Sequence, residues 1–111
     1  MAKLERTLEG RSFDEWLTRL EQGILTGSVS ASLEDKSDFS SPDGTARVSV
    51  RVFERYSVAG GNRLSLSLTL FQDNSGEIHL SAIASGGSQA MFFKINTWGE
   101  EAFLSCLEEL I

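Results

Sequence analysis

The fold is decided by residues 46–84, ARVSVRVFERYSVAGGNRLSLSLTLFQDNSGEIHLSAIA. Three runs within this stretch alternate apolar and polar side chains, and short glycine-containing segments at 59–62 and 72–76 separate them. Period-two alternation places successive side chains on opposite faces of a strand. Because short glycine-containing turns join antiparallel neighbours, the stretch predicts three consecutive strands connected as hairpins.

The alternation also predicts which side chains face the core. The predicted inward set is Ala46, Val48, Val50, Val52, Leu64, Leu66, Leu68, Leu70, Ile78, Leu80, Ala82 and Ala84. The predicted outward set is Arg47, Ser49, Arg51, Phe53, Arg55, Ser65, Ser67, Thr69, Phe71, His79, Ser81 and Ile83. One face of the sheet is therefore expected to be apolar, and the other rich in serine and arginine.

Two weaker strands are predicted before this stretch. Residues 2–9 alternate around Leu4 and Leu8, and Gly10 ends the pattern. A second strand follows from the alternation of Val29, Ala31 and Leu33 with serines. Residues 34–44 are polar and end in Ser-Pro-Asp-Gly, which is strong turn chemistry, so they are predicted to be a connection.

Two capping boxes predict two helices. Ser12 and Glu15 open the first helix, which is expected to end near Gly23, and Thr97 and Glu100 open the second. The apolar stripe of the first helix is Phe13, Trp16, Leu17, Leu20 and Ile24, and that of the second is Trp98, Phe103, Cys106, Leu107 and Leu110.

Adjacent glycines Gly86 and Gly87 come just before the second helix. They are predicted to mark a bend, after which residues 91–95 continue as a short strand. An anion-binding nest at Gly86–Ser88 is the weaker alternative, because the lysine and the immediate helix start of a phosphate loop are missing.

The predicted element order is strand, helix, four strands, helix. Because the helix stripes must be buried against the apolar sheet face, this order predicts a two-layer α+β sandwich with both helices on one face. The order is that of TATA-binding-protein-like and helix-grip folds, and the length fits one domain, 1–111. The core is expected to contain Trp16, Leu20, Val50, Leu66, Leu68, Leu80, Phe103 and Leu107.

Composition limits the classes of function. The net charge of −6 disfavours binding to nucleic acid or to an anionic membrane. The single cysteine, Cys106, allows no intrachain disulfide and fits a reducing compartment. The first ten residues lack the apolar segment of a signal peptide, and no apolar run reaches membrane-spanning length. We therefore expect a cytoplasmic protein without a membrane partner.

The residues that commonly carry chemistry are sparse. His79 is the only histidine and is expected to lie on the polar sheet face, whereas Cys106 lies on a helix stripe. One histidine and one cysteine do not make a zinc site without carboxylates, and residues 34–43 lack the pattern of a calcium loop. The sequence therefore predicts no enzyme, no cofactor and no metal.

The predicted outer face is the strongest candidate for an interaction surface. Its candidate residues are Arg47, Arg51, Phe53, Arg55, Ser67, Phe71 and His79. Three interpretations remain open: a solvated face, a homodimer interface formed by sheet packing, or a surface for single-stranded nucleic acid. A small-molecule or lipid cavity beneath the C-terminal helix is a further alternative, with Met91, Phe92 and Trp98 at its mouth.

Two passages, VFERYSVAGGNRLSLSLTL (52–70) and IHLSAIASGGSQAMFFKINTWGEEAFL (78–104), resemble an uncharacterised family of small bacterial proteins, a domain of unknown function. The resemblance covers nearly the whole chain. It implies a small intracellular single-domain protein and supplies neither catalytic residues nor a ligand.

Overall fold

The computed structural model describes residues 1–27, 30–56, 63–86 and 93–111, with 93–100 described by their backbone. The elements are β1 (Ala2–Leu8), α1 (Phe13–Gly27), β2 (Ser32–Ser40), β3 (Arg47–Tyr56), β4 (Arg63–Gln72), β5 (Ile78–Gly86) and α2 (Phe93–Glu108). These strands form one five-stranded antiparallel sheet in the order β1-β5-β4-β3-β2. The predicted element order, the α+β class and the antiparallel sheet are confirmed.

The sheet has a buried face, here called the inner face, and an opposite outer face. The inner face is defined by side chains that are at most 5% exposed: Leu4, Leu8, Phe53, Leu64, Leu66, Leu68, Leu70, Ile78, Leu80, Ala82 and Ala84. Trp16, Leu20, Phe103 and Leu107 complete the same apolar cluster from the helices. Of the predicted core residues, Val50 alone is not buried.

The facing of β3 is the reverse of the prediction. Arg51 and Phe53 are buried, whereas Val50 and Val52 are only half-buried on the outer face. The register confirms the reversal, because Phe53 lies opposite Leu66 of β4 and therefore shares its face. The predictions that placed Arg47, Arg51, Phe53 and Arg55 on the outer face are wrong.

Ion pairs explain why β3 turns its arginines inward. Arg47 binds Asp14 of α1 at 2.8 Å, and Arg51 binds Glu21 of α1 at 3.2 Å. A guanidinium can be buried when carboxylates satisfy its donors and its aliphatic stem covers apolar surface. The alternation of valine and arginine fits either facing, so the partners supplied by α1 decide between them.

Strand β2 begins later than the strand predicted from Val29, Ala31 and Leu33: it starts at Ser32, and the acidic stretch after Leu33 forms most of it. Residues 34–40 belong to β2, and the predicted connection is confined to the turn that begins at Ser41. Gly44 donates its N–H to the Ser41 carbonyl and has a φ of +75°, a value that favours glycine. β2 lies at the sheet edge with a register shift between Leu33 and Asp35, and edge strands tolerate charge and bulges.

Helix α1 begins as predicted but continues beyond its expected end. Ser12 Oγ accepts a hydrogen bond from the Glu15 N–H, and Glu15 Oε1 accepts one from the Ser12 N–H. The helix runs to Gly27, so Gly23 lies inside it. A Cβ at Gly23 would lie 2.4 Å from Leu110 Cδ1, so a larger residue here would require the Leu110 side chain to shift.

The C-terminal part of the chain corrects two further predictions. Helix α2 begins at Phe93, so residues 93–95 are helical rather than a strand, and Thr97 lies within the helix rather than at its cap. The predicted turn at 59–62 and the bend or nest from Gly87 onward lie outside the described residues. Of the helices in the described ranges, none has the length and apolarity needed to cross a bilayer.

Candidate functional site

The outer face is organised in rows that run across the sheet. Strand pairing aligns residues from β2 to β1, so that each row lies perpendicular to the strands. The first row is Phe39, Val48, Phe71, His79 and Thr7; the second is Ser37, Val50, Thr69, Ser81 and Glu5; the third is Asp35, Val52, Ser67, Ile83 and Lys3. Where these rows cross β3, β4 and β5, they contain no Asp, Glu, Lys or Arg.

Several large apolar side chains on this face are accessible to solvent. Phe39 is 69% exposed, Phe71 is 41% exposed and Ile83 is 37% exposed. Single exposed apolar side chains are common on protein surfaces, but here they share a face with three valines of β3. Over these three rows the outer face is therefore an apolar and hydroxyl-rich surface, rather than the arginine-rich surface that the sequence predicted. Beyond the third row, Glu54 and Arg63 form an ion pair on the same face.

Charged side chains of these rows lie at the two edge strands. Lys3 and Glu5 of β1 form an ion pair at 3.3 Å, and Asp35 is on β2. Each end of the third row thus carries one charge, positive at Lys3 and negative at Asp35. The rows have an uncharged centre with charge at the margins, which is the composition of many protein interfaces.

Ser67, Phe71 and His79 lie on the outer face as predicted. The arginines predicted to join them face inward instead. Arg55 lies over the Phe103 ring, with its guanidinium carbon 4.4 Å from the ring centroid, and burial lowers the Arg55 pKa. The structure therefore divides the predicted site residues between the two faces of the sheet.

Two of the inward arginines, Arg47 and Arg51, line a cleft of about 330 Å³ between α1 and the β2–β3 edge. Asp38 Oδ1 accepts hydrogen bonds from Ser49 Oγ at 2.6 Å and from Arg51 Nη1 at 2.9 Å. Both bonds hold the pKa of Asp38 below its usual value, and the bond from Ser49 contributes more than the bond from Arg51. The bond from Arg47 likewise lowers the pKa of Asp14. The charged groups of this cleft satisfy one another.

A second polar cluster lies at the β4–β5 turn. His79 Nε2 is 3.1 Å from Asp73 Oδ2 and 4.0 Å from Glu77 Oε1. The three ligand-type atoms of Asp73, Glu77 and His79 all lie within 4.8 Å of one another. The His79 ring stacks on Phe71, with centroids 6.0 Å apart and an interplanar angle of 24°.

The turn itself positions Asp73. Its Oδ1 accepts hydrogen bonds from the N–H and hydroxyl of Ser75 and from the N–H of Glu77. The Ser75 bond, followed by that of His79, lowers the pKa of Asp73 to about 2. Since Ser75 bonds the carboxylate rather than the imidazole, this cluster lacks the nucleophile–base contact of a catalytic triad.

This cluster is not evident from the sequence alone, in which His79 is the only histidine. Glu77 follows Asp73 by four positions, and His79 follows Glu77 by two. This spacing predicts proximity of the three side chains only when a turn lies between Asp73 and Glu77. The positive φ of Gly76, +90°, reverses the chain there and brings both carboxylates to the histidine. The D-x-x-G-E-x-H pattern around a predicted hairpin turn was the available signal.

The fold and the candidate surfaces define a small α+β protein with an uncovered antiparallel sheet face among the described residues. A family model described as a family of unknown function (DUF6054) matches residues 1–111. The chain therefore belongs to this family, as the resemblance in the sequence implied. Neither the curated proteins nor the solved structures contain a significant match to it.

Proposed function

We propose that the protein is a small, non-catalytic interaction protein that self-associates through the outer face of its sheet. The observation that carries this proposal is the exposure of Phe39, Phe71 and Ile83 on a face whose central rows contain no Asp, Glu, Lys or Arg. Burying apolar surface drives most protein association. A second copy of the chain is the partner that the pattern of this face fits best.

The proposal requires both helices to cover the inner face, which would leave the outer face free. Arg47 and Arg51 pair with α1, and Arg55, on the same side of β3, packs on Phe103 of α2. On β1, inward-facing Arg6 lies 3.7 Å from Glu108 of α2. These contacts support a two-layer sandwich. Because the elements follow the same order, we propose that the arrangement is TATA-binding-protein-like or helix-grip-like.

The sheet edges are poor alternatives for self-association. Edge strands avoid pairing with other chains through charged side chains and bulges. β2 carries Glu34, Asp35, Lys36 and Asp38 together with the register shift near its start, and β1 carries Lys3, Glu5 and Arg6. Both edges thus oppose strand addition, which favours association through the face.

The outer face is complementary to a copy of itself about a two-fold axis parallel to β4. Because β4 is the central strand, this axis places β1 over the β2 of the second copy. Lys3 then faces Asp35 of the copy, twice by symmetry, and Phe71 faces Phe71. The charges at the margins attract each other while the uncharged centres meet, which is the arrangement of an isologous interface.

The alternatives have less support. Nucleic-acid binding depended on an arginine-rich outer face, and Arg47 and Arg51 pair with carboxylates on the other side. The ligand cavity depended on Met91, Phe92 and Trp98, whose side chains lie outside the described residues. The non-catalytic part of the proposal is drawn from the sequence, which has one histidine and lacks a cofactor fingerprint. A cytoplasmic location is proposed from the lone Cys106.

Light scattering tests the proposal on the wild type, Phe71→Glu and Ile111→Glu, all in a buffer containing a chelator. The wild type is expected at about twice the chain mass of 12.2 kDa. Phe71→Glu should be monomeric, because it brings two carboxylates together on the two-fold axis. Ile111 is 43% exposed and is not on the sheet, so Ile111→Glu makes the same change elsewhere and should remain dimeric. A wild type that stays monomeric at every concentration would overturn the proposal.

A further inference from the structure

We propose that Asp73, Glu77 and His79 form a binding site for a divalent transition-metal ion of the zinc type. The site lies at the turn between β4 and β5, and His79 also belongs to the outer face that is proposed to self-associate. Its three ligand atoms would be Asp73 Oδ2, Glu77 Oε1 and His79 Nε2. Imidazole and carboxylate are ordinary zinc ligands, and a set with one nitrogen favours zinc-type ions over calcium or magnesium.

The geometry fits an ion without rearrangement of the backbone. Zinc–ligand bonds of about 2.0–2.2 Å in tetrahedral geometry separate the ligand atoms by roughly 3.3–3.6 Å. In the structure, His79 Nε2 lies 3.1 Å from Asp73 Oδ2 and 4.0 Å from Glu77 Oε1, on either side of that range. All three ligand atoms lie within 4.8 Å of one another, so the carboxylates of Asp73 and Glu77 would rotate to reach that range.

Two of the ligands are already oriented by their surroundings. Three donors hold Asp73 Oδ1, which leaves Oδ2 directed toward His79. Stacking against Phe71 fixes the plane of the His79 ring. Partners that orient metal ligands in this way are a regular feature of protein metal sites.

The two carboxylates of the cluster carry negative charge that a bound cation would balance. Carboxylates elsewhere, such as Asp14, Glu21 and Asp38, pair with arginines. In the described ranges, no lysine or arginine pairs with Asp73 or Glu77, whose ion-pair partner is His79. A divalent ion bound to neutral His79 would balance the two carboxylates. Three protein ligands leave one position of a tetrahedral ion to water, so the site resembles an open rather than a closed zinc site.

Isothermal titration with zinc chloride, in a Cys106→Ser background, tests the proposal. The background removes the only thiol of the chain, so that zinc cannot bind to Cys106. One zinc ion per chain is expected, with no competition from calcium or magnesium. His79→Asn and Glu77→Gln should each weaken zinc binding about tenfold or more, since even orienting partners of metal ligands contribute roughly 10–100-fold. Glu101→Gln, an exposed change on α2, should bind zinc like the background protein.

An NMR measurement separates metal binding from mere stabilisation of the turn. Because the chain has one histidine, zinc bound at the site should shift a single set of imidazole nitrogen signals, and Glu77→Gln should reduce that shift at limiting zinc. Glu77 is exposed, so Glu77→Gln tests the site even where His79→Asn fails to fold. No zinc binding by the background protein, or equal zinc affinity in Glu77→Gln, would overturn the proposal.

Discussion

Arg51 of β3 and Glu21 of α1 form an ion pair in which Nε lies 3.2 Å from Oε2. The Arg51 side chain is 7% exposed, and Asp38 of β2 binds its Nη1 at 2.9 Å. Arg51 therefore joins helix α1, its own interior strand β3 and the edge strand β2. It also turns the arginines of β3 away from the outer face, which keeps that face free of their charge.

Removing Glu21 should therefore destabilise the fold. Glu21→Ala leaves a buried guanidinium with one fewer acceptor, and we expect a loss of about 1–3 kcal/mol in the free energy of unfolding. Gln22→Ala, at the adjacent exposed position of α1, should change it by less than about 0.5 kcal/mol. Urea unfolding measures both. Equal small losses would show that the pair does not hold the helix to the sheet.

The sequence predicted most of the fold because local patterns determine it. The Ser12 cap, the β4 and β5 alternations and the turns that end in Gly44 and Gly76 all depend on residues close together in the chain. The β3 facing could not be predicted in the same way. Along β3, valines and arginines alternate, so either set could face the core. The choice depends on Asp14 and Glu21, some thirty residues away in the chain.

The candidate site was only partly predicted for the same reason. Ser67, Phe71 and His79 were placed correctly, since their strands alternate leucine or alanine with polar residues and leave no choice of face. The edge strand β2 was missed because its charged residues have the composition of a loop. Phe39, the most exposed aromatic of the outer face, was missed along with it.

Core and outer-face substitutions should respond differently to protein concentration. Leu66→Ala should cost about 2–5 kcal/mol at every concentration, because Leu66 is fully buried within the chain. Val50→Ala should cost little in dilute protein and more in concentrated protein, since association stabilises by mass action and buries Val50 only in the dimer. Thermal unfolding over a series of concentrations measures both. A concentration-independent loss for Val50→Ala would count against association through this face.

The pH dependence of stability should include a contribution from Asp38. Its pKa is lowered in the folded protein by Ser49 and Arg51, so its stabilising contribution is fully present above the unfolded pKa of about 3.9. That contribution is lost as the pH falls through the lower, folded pKa. Asp38→Asn should thus be less stable than the wild type near pH 7, and the difference should shrink toward pH 2–3. Urea unfolding at both pH values checks this, and a difference that grows in acid would contradict the assignment.

The proposed two-fold axis predicts a charge swap across the interface. Lys3→Asp and Asp35→Lys should each weaken self-association, because each places like charges opposite one another in the dimer. The double variant should recover most of the affinity, since opposite charges face each other again. Sedimentation equilibrium at low salt gives the dimerisation constants. Additive weakening in the double variant would require another orientation of the two copies.

Cross-linking at Thr69 tests self-association through the outer face most directly. Thr69 lies on the central strand, β4, which the proposed two-fold axis follows. Thr69 should therefore face Thr69 of the second copy across two sheets about 10 Å apart. In a Cys106→Ser background, Thr69→Cys treated with a bis-maleimide of roughly that reach should give a covalent dimer. Thr18→Cys, on the exposed side of α1, should remain monomeric under the same conditions. Equal cross-linking of the two variants, or none at Thr69→Cys, would contradict the account.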